Sequence, residues 1–460
     1  MKSVHHLFLL LFLPATVFAA DKPLRHAQGK PNIVVIMADD IGFECYSCYG
    51  SEFYQTPNID KLAASGAKFT QAYSQPICTP SRVKIMTGRY NFKNYAVFGE
   101  LDLTQNTFAK VAKSAGYPTY IAGKWQLSPG NLQGPYEAGF DEYCLWHFAK
   151  GGKGGPPLAS MFKNKGSRFK SPHLFENGEL IPDLENEYGP DIVTTKICEF
   201  IERKKDENFV VYYPMINVHN PFVPTPDSPD WEKTDKSRGS LEHFRDMVHY
   251  MDKSIGRIVK KLEDTGLREN TLIIVTGDNG TNVGITSPFP GRGQIKGGKG
   301  LMTDAGNRVA FVASWPATIK PGTVIDKPID FASIMPTVAE LTGAKTPKNA
   351  DGQSLVPLLK GDTSQARDWI FMSYNRGGGK NAKYRAFVRD EKWKLYADGS
   401  LYNVPNDWLE KKPITHAKGE KARKRLLPIL DRILSDAPAG RIATDPPRTK
   451  PAKKKKKKNQ

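Results

Sequence analysis

Long apolar runs are missing from this sequence: the longest near the start, Leu7 to Leu13, falls far short of the roughly 20 residues that a membrane-spanning helix needs. Cysteine is scarce, five in 460 residues, so a core stapled by disulfides is excluded. No internal repeat is present, and Gly and Pro show no collagen-like dominance. Acidic residues are the minority, 48 against 66 Lys and Arg. What remains is ordinary: 39% hydrophobic and 10% aromatic residues can bury a large core, so one large domain with a smaller one is expected and a disordered chain is not.

The net charge of +18 suggests nucleic acid only until it is located. Arg448, Lys450 and Lys453 to Lys458 supply eight of those charges with no acid among them, and Lys2 supplies one more. The body is moderately basic. The lysine run could bind sulfated polymers or nucleic acid electrostatically, but reads first as a solvated, disordered tail, residues 441–460. Residues 1–20 resemble a secretory signal: Lys2, the apolar stretch Leu7 to Leu13, Pro14, then Val17-Phe18-Ala19 at a small-x-small cleavage site. Export to a periplasm or the cell exterior is the expectation, with no integral membrane association. No Cys ends the apolar run, so a bacterial lipid anchor has no attachment point.

Export permits disulfides. Cys45-Tyr46-Ser47-Cys48 is a lone C-x-x-C without a His cluster, which reads as two thiols or a local disulfide rather than a zinc or redox site. An odd number leaves one cysteine over. Cys78 differs from the rest in its surroundings; Cys45, Cys48, Cys144 and Cys198 could pair in three ways.

Buried strands are predicted at Asn32 to Met37, Pro118 to Ala122, Phe209 to Ile216 and Leu272 to Thr276, each a continuous apolar run ending in a polar loop. Helical patterns lie at Ile59 to Ser65, Thr107 to Ser114, Asp191 to Arg203, Leu241 to Thr265 and Phe331 to Leu341. This alternation predicts an α/β fold, a large, mostly parallel sheet sandwiched by helices, over residues 30–365. Short alternating runs at Tyr384 to Val388 and Trp393 to Tyr396, then a basic helix from Lys418 to Ser435, predict a small C-terminal α+β subdomain over 366–440. Ligands in such folds collect beyond the carboxyl ends of the strands.

Two polar pairs occupy such ends. Asp39-Asp40 and Asp278-Asn279 offer oxygen donors with no His or thiolate nearby in sequence, which suits Ca²⁺ or Mg²⁺ better than zinc. The alternative is a set of turn and cap residues. Asn279-Gly280-Thr281 spells a glycosylation sequon, but in a poor place for one. In Pro76-Ile77-Cys78-Thr79-Pro80-Ser81-Arg82 the Thr-Pro pair marks a helix start, putting Cys78 at its N-terminus, where the dipole favours an anion and activates a nucleophile. A buried structural cysteine is the plain alternative. Gly293 to Lys299 spells G-x4-G-K, yet Gly300 stands where a phosphate loop needs Ser or Thr.

Cys-x-Pro-Ser-Arg, followed by a hydrophobic pair and Thr87-Gly88, resembles the signature of the sulfatase family. The resemblance continues through Gly116 to Trp125, Val218-His219-Asn220-Pro221, Thr276 to Gly280, Gly297 to Gly300 and Asp351 to Leu355, and covers Pro31 to Tyr402. It implies an alkaline phosphatase-like fold and an enzyme hydrolysing sulfate monoesters. Cys78 would be oxidised to Cα-formylglycine (3-oxoalanine) by a formylglycine-generating enzyme. One Ca²⁺ would be held by Asp39, Asp40, Asp278, Asn279 and modified residue 78. One hydroxyl of the hydrated aldehyde would attack sulfur, forming a covalent sulfo-enzyme, and the other would expel sulfate. Arg82 and Lys124 would orient the hydrate; His219 and Lys299 would bind sulfate, one of them protonating the departing alcohol. The chain departs from the family at Gln126, where a His is usual; Gln can hydrogen-bond but cannot shuttle a proton. His147 is the candidate to take over.

The basic, aromatic loops around Cys144 to Pro172 and Pro221 to Ser240 suit a sulfated carbohydrate better than a small lipid sulfate. Two rival readings keep the same residues: a phosphodiesterase or phosphonate monoester hydrolase, and a sulfated-glycan binder whose Cys78 stays a thiol.

Overall fold

The computed structural model describes residues 29–146, 168–232, 240–379 and 381–444; the leader, His147 and the final lysine run lie outside them. Within them the chain builds one ten-stranded sheet. Its central strands are β1 (Asn32–Ala38), β2 (Thr119–Lys124), β3 (Glu142–Trp146), β4 (Val210–Pro214), β5 (Thr271–Gly277) and β6 (Phe311–Ser314), in spatial order β6-β5-β1-β4-β2-β3. Every pairing from β5 to β3 is parallel, and β6 joins antiparallel. Short strands extend both ends, Ala67–Phe69 and Thr323–Ile325 beyond β6, Phe175–Glu176 and Glu179–Leu180 beyond β3.

The helices covering this sheet are α1 (Pro57–Ala64), α2 (Cys78–Thr87), α3 (Phe108–Ser114), α4 (Gly189–Arg203), α5 (His243–Asp264) and α6 (Ile334–Thr342). All seven residues of β1 are buried, and the pleat sends them alternately to two cores. Ile33, Val35 and Met37 pack with Val83 and Met86 of α2, Phe108 of α3 and Val338 of α6. Val34, Ile36 and Ala38 pack with Ile59 of α1, Ile197 of α4 and Met251 and Ile255 of α5. Each such aliphatic side chain contributes about 1.5–3 kcal/mol on burial, which is why strands covered on both faces read as unbroken apolar runs. The predicted strands and helices are all present, with ends shifted by a few residues.

The C-terminal antiparallel sheet comprises β7 (Ile370–Tyr374), β8 (Arg385–Arg389), β9 (Trp393–Tyr396) and β10 (Leu401–Asn403). Helix α7 (His416–Leu434) lays Leu426 and Leu430 against Val388 and Leu395, in the same apolar cluster as α2 and α3. Order extends past residue 440, contrary to the tail boundary expected there: Tyr384 and the segment from Arg441 to Ala443 exchange backbone hydrogen bonds.

All five cysteines are free thiols, so Cys45 and Cys48 take the two-thiol form of the expected alternatives and none of the possible pairings is made. Cys45 faces the hydroxyls of Thr281 and Ser287, Cys144 is sealed within β3, and Cys198 lies against the carbonyl of Arg257. Each sits in its own packing environment rather than opposite another sulfur.

Candidate active site

Parallel strands bring the site together. β1 runs into Asp39 and Asp40, β5 into Asp278 and Asn279, β2 ends on Lys124, and the loop after β4 carries His219. Their shared direction puts all these groups at one edge of the sheet. Register continues past the strand ends: the Asp39 N–H donates to the Asn217 carbonyl at 2.8 Å, and the Asp278 N–H to the Ala38 carbonyl at 2.8 Å. Gly123 permits the approach of β2 to β4, since a Cβ there would lie 2.1 Å from the Pro214 oxygen.

Helix α2 begins at Cys78 and all its residues are buried. Its free first-turn N–H groups place positive potential beside that residue. Ser81 pins the turn, its Oγ accepting from the Gln75 N–H at 3.0 Å and donating to the Asp278 carbonyl at 2.5 Å. One turn on, Arg82 Nη2 meets Asp278 Oδ2 at 3.2 Å, Nη1 donates to the Lys124 carbonyl at 3.2 Å, and Asp39 Oδ2 lies 3.8 Å away.

The remaining cations close the cluster. Lys124 Nζ contacts Asp39 Oδ2 at 2.6 Å and Lys299 Nζ contacts Asp40 Oδ2 at 2.5 Å. Lys299 arrives on a glycine segment packed tightly on its neighbour: a Cβ at Gly298 would lie 2.5 Å from the Ala305 carbonyl carbon. The strand Gly293–Lys296 pairs antiparallel with Thr286–Phe289, so the G-x4-G-K stretch is a hairpin and no phosphate loop. Asn279 Nδ2 donates to Asp40 Oδ1 at 2.9 Å; Asn279 and Thr281 are fully buried, which disposes of the sequon.

His219 Nδ1 lies 2.7 Å from the Asn220 carbonyl, an oxygen that can only accept, so Nδ1 carries the ring hydrogen. Nε2 is left to accept from Lys299 Nζ at 3.3 Å. Burial lowers the His219 pKa to about 4, with Asp39 and Asp40 resisting, so the ring is neutral at pH 7. Burial works against charge on Lys299 too, but Asp40 overcomes it and holds the ammonium protonated. Burial opposes ionisation of Asp39 as well, yet the charges on Lys124, Arg82 and Lys299 hold its carboxyl well below the usual range. Asp278 moves the other way, raised by burial and by the charge on Asp39.

That pattern fits a divalent cation. Asp39 Oδ1 and Asn279 Oδ1 are buried without a hydrogen-bond partner, and three carboxylates crowd together strongly enough to raise one of them. An oxygen donor set of this kind is the one hard divalent ions take. A nitrogen of His219 and one oxygen each of Asp39 and Asp40 lie within 4.8 Å of one another, but that imidazole already faces Lys299.

The structure therefore brings Cys78, Arg82, Lys124, His219, Lys299, Asp39, Asp40, Asp278 and Asn279 into one cluster. Cys78 is close enough to Arg82 and Lys299 to act on the charge of both. Gln126 follows β2 directly in a left-handed conformation, φ 58°, with its Oε1 buried and without a partner among the described residues. His147 falls outside those residues. Three contributors had no individual role readable in the sequence: Ser81, part of the Cys-x-Pro-Ser-Arg stretch, whose hydroxyl works through backbone groups; Glu44, which takes the Thr281 hydroxyl hydrogen at 2.5 Å while Thr281 accepts from Gly42, tying the two acidic loops together; and Arg168, one basic residue among several in the loop from Cys144 to Pro172.

The sulfatase family model matches residues 31–344, and that of the N-sulphoglucosamine sulphohydrolase C-terminal region matches 298–424. The chain belongs to the sulfatase family. Human steryl-sulfatase is 30% identical over 452 residues, spanning 79% of this chain and 74% of its own. An ulvan-active sulfatase of Formosa agariphila is 29% identical over 423 residues, covering 86% of this chain and 72% of its own. Among solved structures, Ps i-CgsB in complex with k-i-k-neocarrahexaose superposes with a TM-score of 0.73 at 25% identity, covering 90% of this chain and 95% of that one. The phosphonate monoester hydrolase of Agrobacterium radiobacter shares the fold, TM-score 0.63 at 19% identity over 88% of this chain and 95% of that one. This sulfatase is thus a sulfuric ester hydrolase with the expected mostly parallel sheet and C-terminal antiparallel subdomain.

Proposed function

We propose that this sulfatase is exported and hydrolyses sulfate monoesters of carbohydrates, using Cys78 oxidised to Cα-formylglycine by a maturation enzyme and one Ca²⁺ held by Asp39, Asp40, Asp278, Asn279 and residue 78. Residues 30–365 make the catalytic domain in this reading. The observation that carries it is the buried Cys78 at a helix N-terminus, near Arg82 and Lys299, in a cluster with buried oxygens without partners. The carbohydrate assignment draws support from the ulvan-active relative and the oligosaccharide bound to Ps i-CgsB. No described helix is long and apolar enough to cross a membrane.

As its hydrate, the oxidised residue would supply two geminal hydroxyls, one to attack sulfur and one whose deprotonation releases sulfate. The bound cation would neutralise charge gathering on the sulfuryl oxygens. The chain's own residues do the rest. Arg82, fixed by Asp278 and the Lys124 carbonyl, keeps a permanent positive charge against residue 78. Lys124 sits across Asp39, ready to orient both nucleophile and ester. The proton for the departing alcohol is held at Lys299 Nζ; His219 has committed its own to the Asn220 carbonyl, and its Nε2, able only to accept, holds that ammonium in place. Gln126 can donate a hydrogen bond to the hydrate but cannot take its proton.

Mass analysis of the peptide containing residue 78, from a host that has the maturation enzyme, should find an aldehyde in place of the thiol. Cys78→Ala should lose turnover of aryl and carbohydrate sulfates. Ordinary turnover by that variant would overturn the proposal.

A further inference from the structure

The outer wall of the site holds a cation that the reaction described above does not use. Trp146, the last residue of β3, lies in register with Lys124 of β2, so it emerges at the same edge of the sheet. The Arg168 guanidinium lies over its indole, 4.6 Å from the ring centroid, with the Phe169 ring 5.6 Å away. Arg168 Nη2 donates at 2.5 Å to the Asn220 carbonyl, the same oxygen that takes the His219 Nδ1 hydrogen at 2.7 Å. Guanidinium and imidazole are thereby neighbours, but on the ring edge opposite Nε2, which faces Lys299 and Asp40.

That placement separates Arg168 from the transferred sulfate. Groups around Nε2 hold the scissile ester; a substrate continuing outward passes the Nδ1 edge. Among the described residues Arg168 forms no ion pair, its one side-chain hydrogen bond leaves its other N–H groups without a partner there, and the residue is half-buried. Burial lowers its pKa while Asp39, Asp40 and Cys78 raise it, the mark of a cation held partly desolvated near the cluster. Holding such a charge without a counterion is costly, and a planar fork with free donors matches an oxyanion.

We propose that Arg168 is a specificity residue that binds a second negatively charged group, a sulfate ester or a carboxylate, on the alcohol from which sulfate is cleaved. The inference rests on the sulfatase reading of the neighbouring cluster.

The test compares phenyl sulfates that carry, at the meta or para position, a carboxylate, a second sulfate ester or a neutral carboxamide. Wild-type enzyme should favour at least one charged ester over the carboxamide by about tenfold in kcat/KM, the worth of one charge-assisted hydrogen bond. Whichever ester is favoured identifies the oxyanion. Arg168→Gln should bring the ratio close to one and Arg168→Lys should keep part of it. The ratio is the readout because Arg168 also steadies the Asn220 carbonyl, so absolute rates can change in either variant. No preference in the wild type, or a preference that survives Arg168→Gln, would overturn the proposal. Calorimetric titration of the three esters onto Cys78→Ala and onto Cys78→Ala/Arg168→Gln should repeat the ranking without turnover. A wild-type enzyme that carries the aldehyde and hydrolyses neither these esters nor carbohydrate sulfates would defeat the proposed function, while the binding ranking still judges Arg168.

Discussion

Burial lowers the pKa of His219 to about 4 against the pull of Asp39 and Asp40, and Lys124 and Lys299 push in the same direction as burial. The consequence is a ring that stays neutral far below the ordinary histidine range, with a fixed tautomer. A cation bound to Asp39 and Asp40 would weaken their pull, so an acid limb of kcat/KM that reports this residue should fall at or below about pH 4, not 6.5. The sign is open to mutation. Lys299→Met removes a positive neighbour and the donor to Nε2, so the protonated ring becomes easier to form and the pKa rises, by about one unit, equivalent to roughly 1.4 kcal/mol. NMR titration of the His219 ring in chelator-treated wild type and variant measures the shift. A midpoint that stays or drops would show that Lys299 does not govern the proton affinity of His219.

Helix α2 is where the elements most depend on single hydrogen bonds. Its residues are buried on every side, so it lacks the apolar stripe by which α4 and α5 are readable, and each polar group needs its own partner: Ser81 the Asp278 carbonyl, Arg82 the Asp278 carboxylate, Lys84 the Asp330 carboxylate at 2.9 Å. Ser81→Ala leaves the Gln75 N–H and the Asp278 carbonyl without that hydroxyl. It should cost about 1–3 kcal/mol in stability and lower kcat more than it raises KM, because the first turn carries residue 78. Denaturant unfolding together with steady-state kinetics checks both; a stability change under about 0.5 kcal/mol would mean the bond contributes little. The same contrast explains what could be read in advance. Runs such as NIVVIMA and TLIIVTG announce strands covered on both faces, and α5 shows its periodicity over 22 residues. The two- and three-residue strands at the sheet edges are too short to carry a period, and no spacing rule marks them.

Across the whole molecule, Asp40 and Asn279 meet although they are separated by 239 positions, and no local pattern connects them. Spacing within each pair suggested hard-cation chemistry, and the resemblance placed both pairs in one site; Arg168 stayed hidden because its meaning depends on Trp146 reaching the Lys124 edge through β3. The assembled cluster makes one global property predictable. Asp278 is raised well above the usual carboxylate range by burial and by Asp39, so in the free protein it tends to keep a proton. A divalent cation shared by Asp39, Asp40, Asp278 and Asn279 favours the ionised form and must expel that proton. Calcium binding should then release up to one proton per ion above about pH 5, and its apparent affinity should climb with pH by up to tenfold per unit until Asp278 is already ionised in the free protein, then level off. Calorimetry in two buffers of different ionisation enthalpy counts the proton. Asp278→Asn retains an oxygen donor with nothing to ionise, so it should bind calcium more weakly, release no proton and show a flat pH dependence. Proton uptake on binding, or an undiminished slope in the variant, would place the coupled proton on some group other than Asp278.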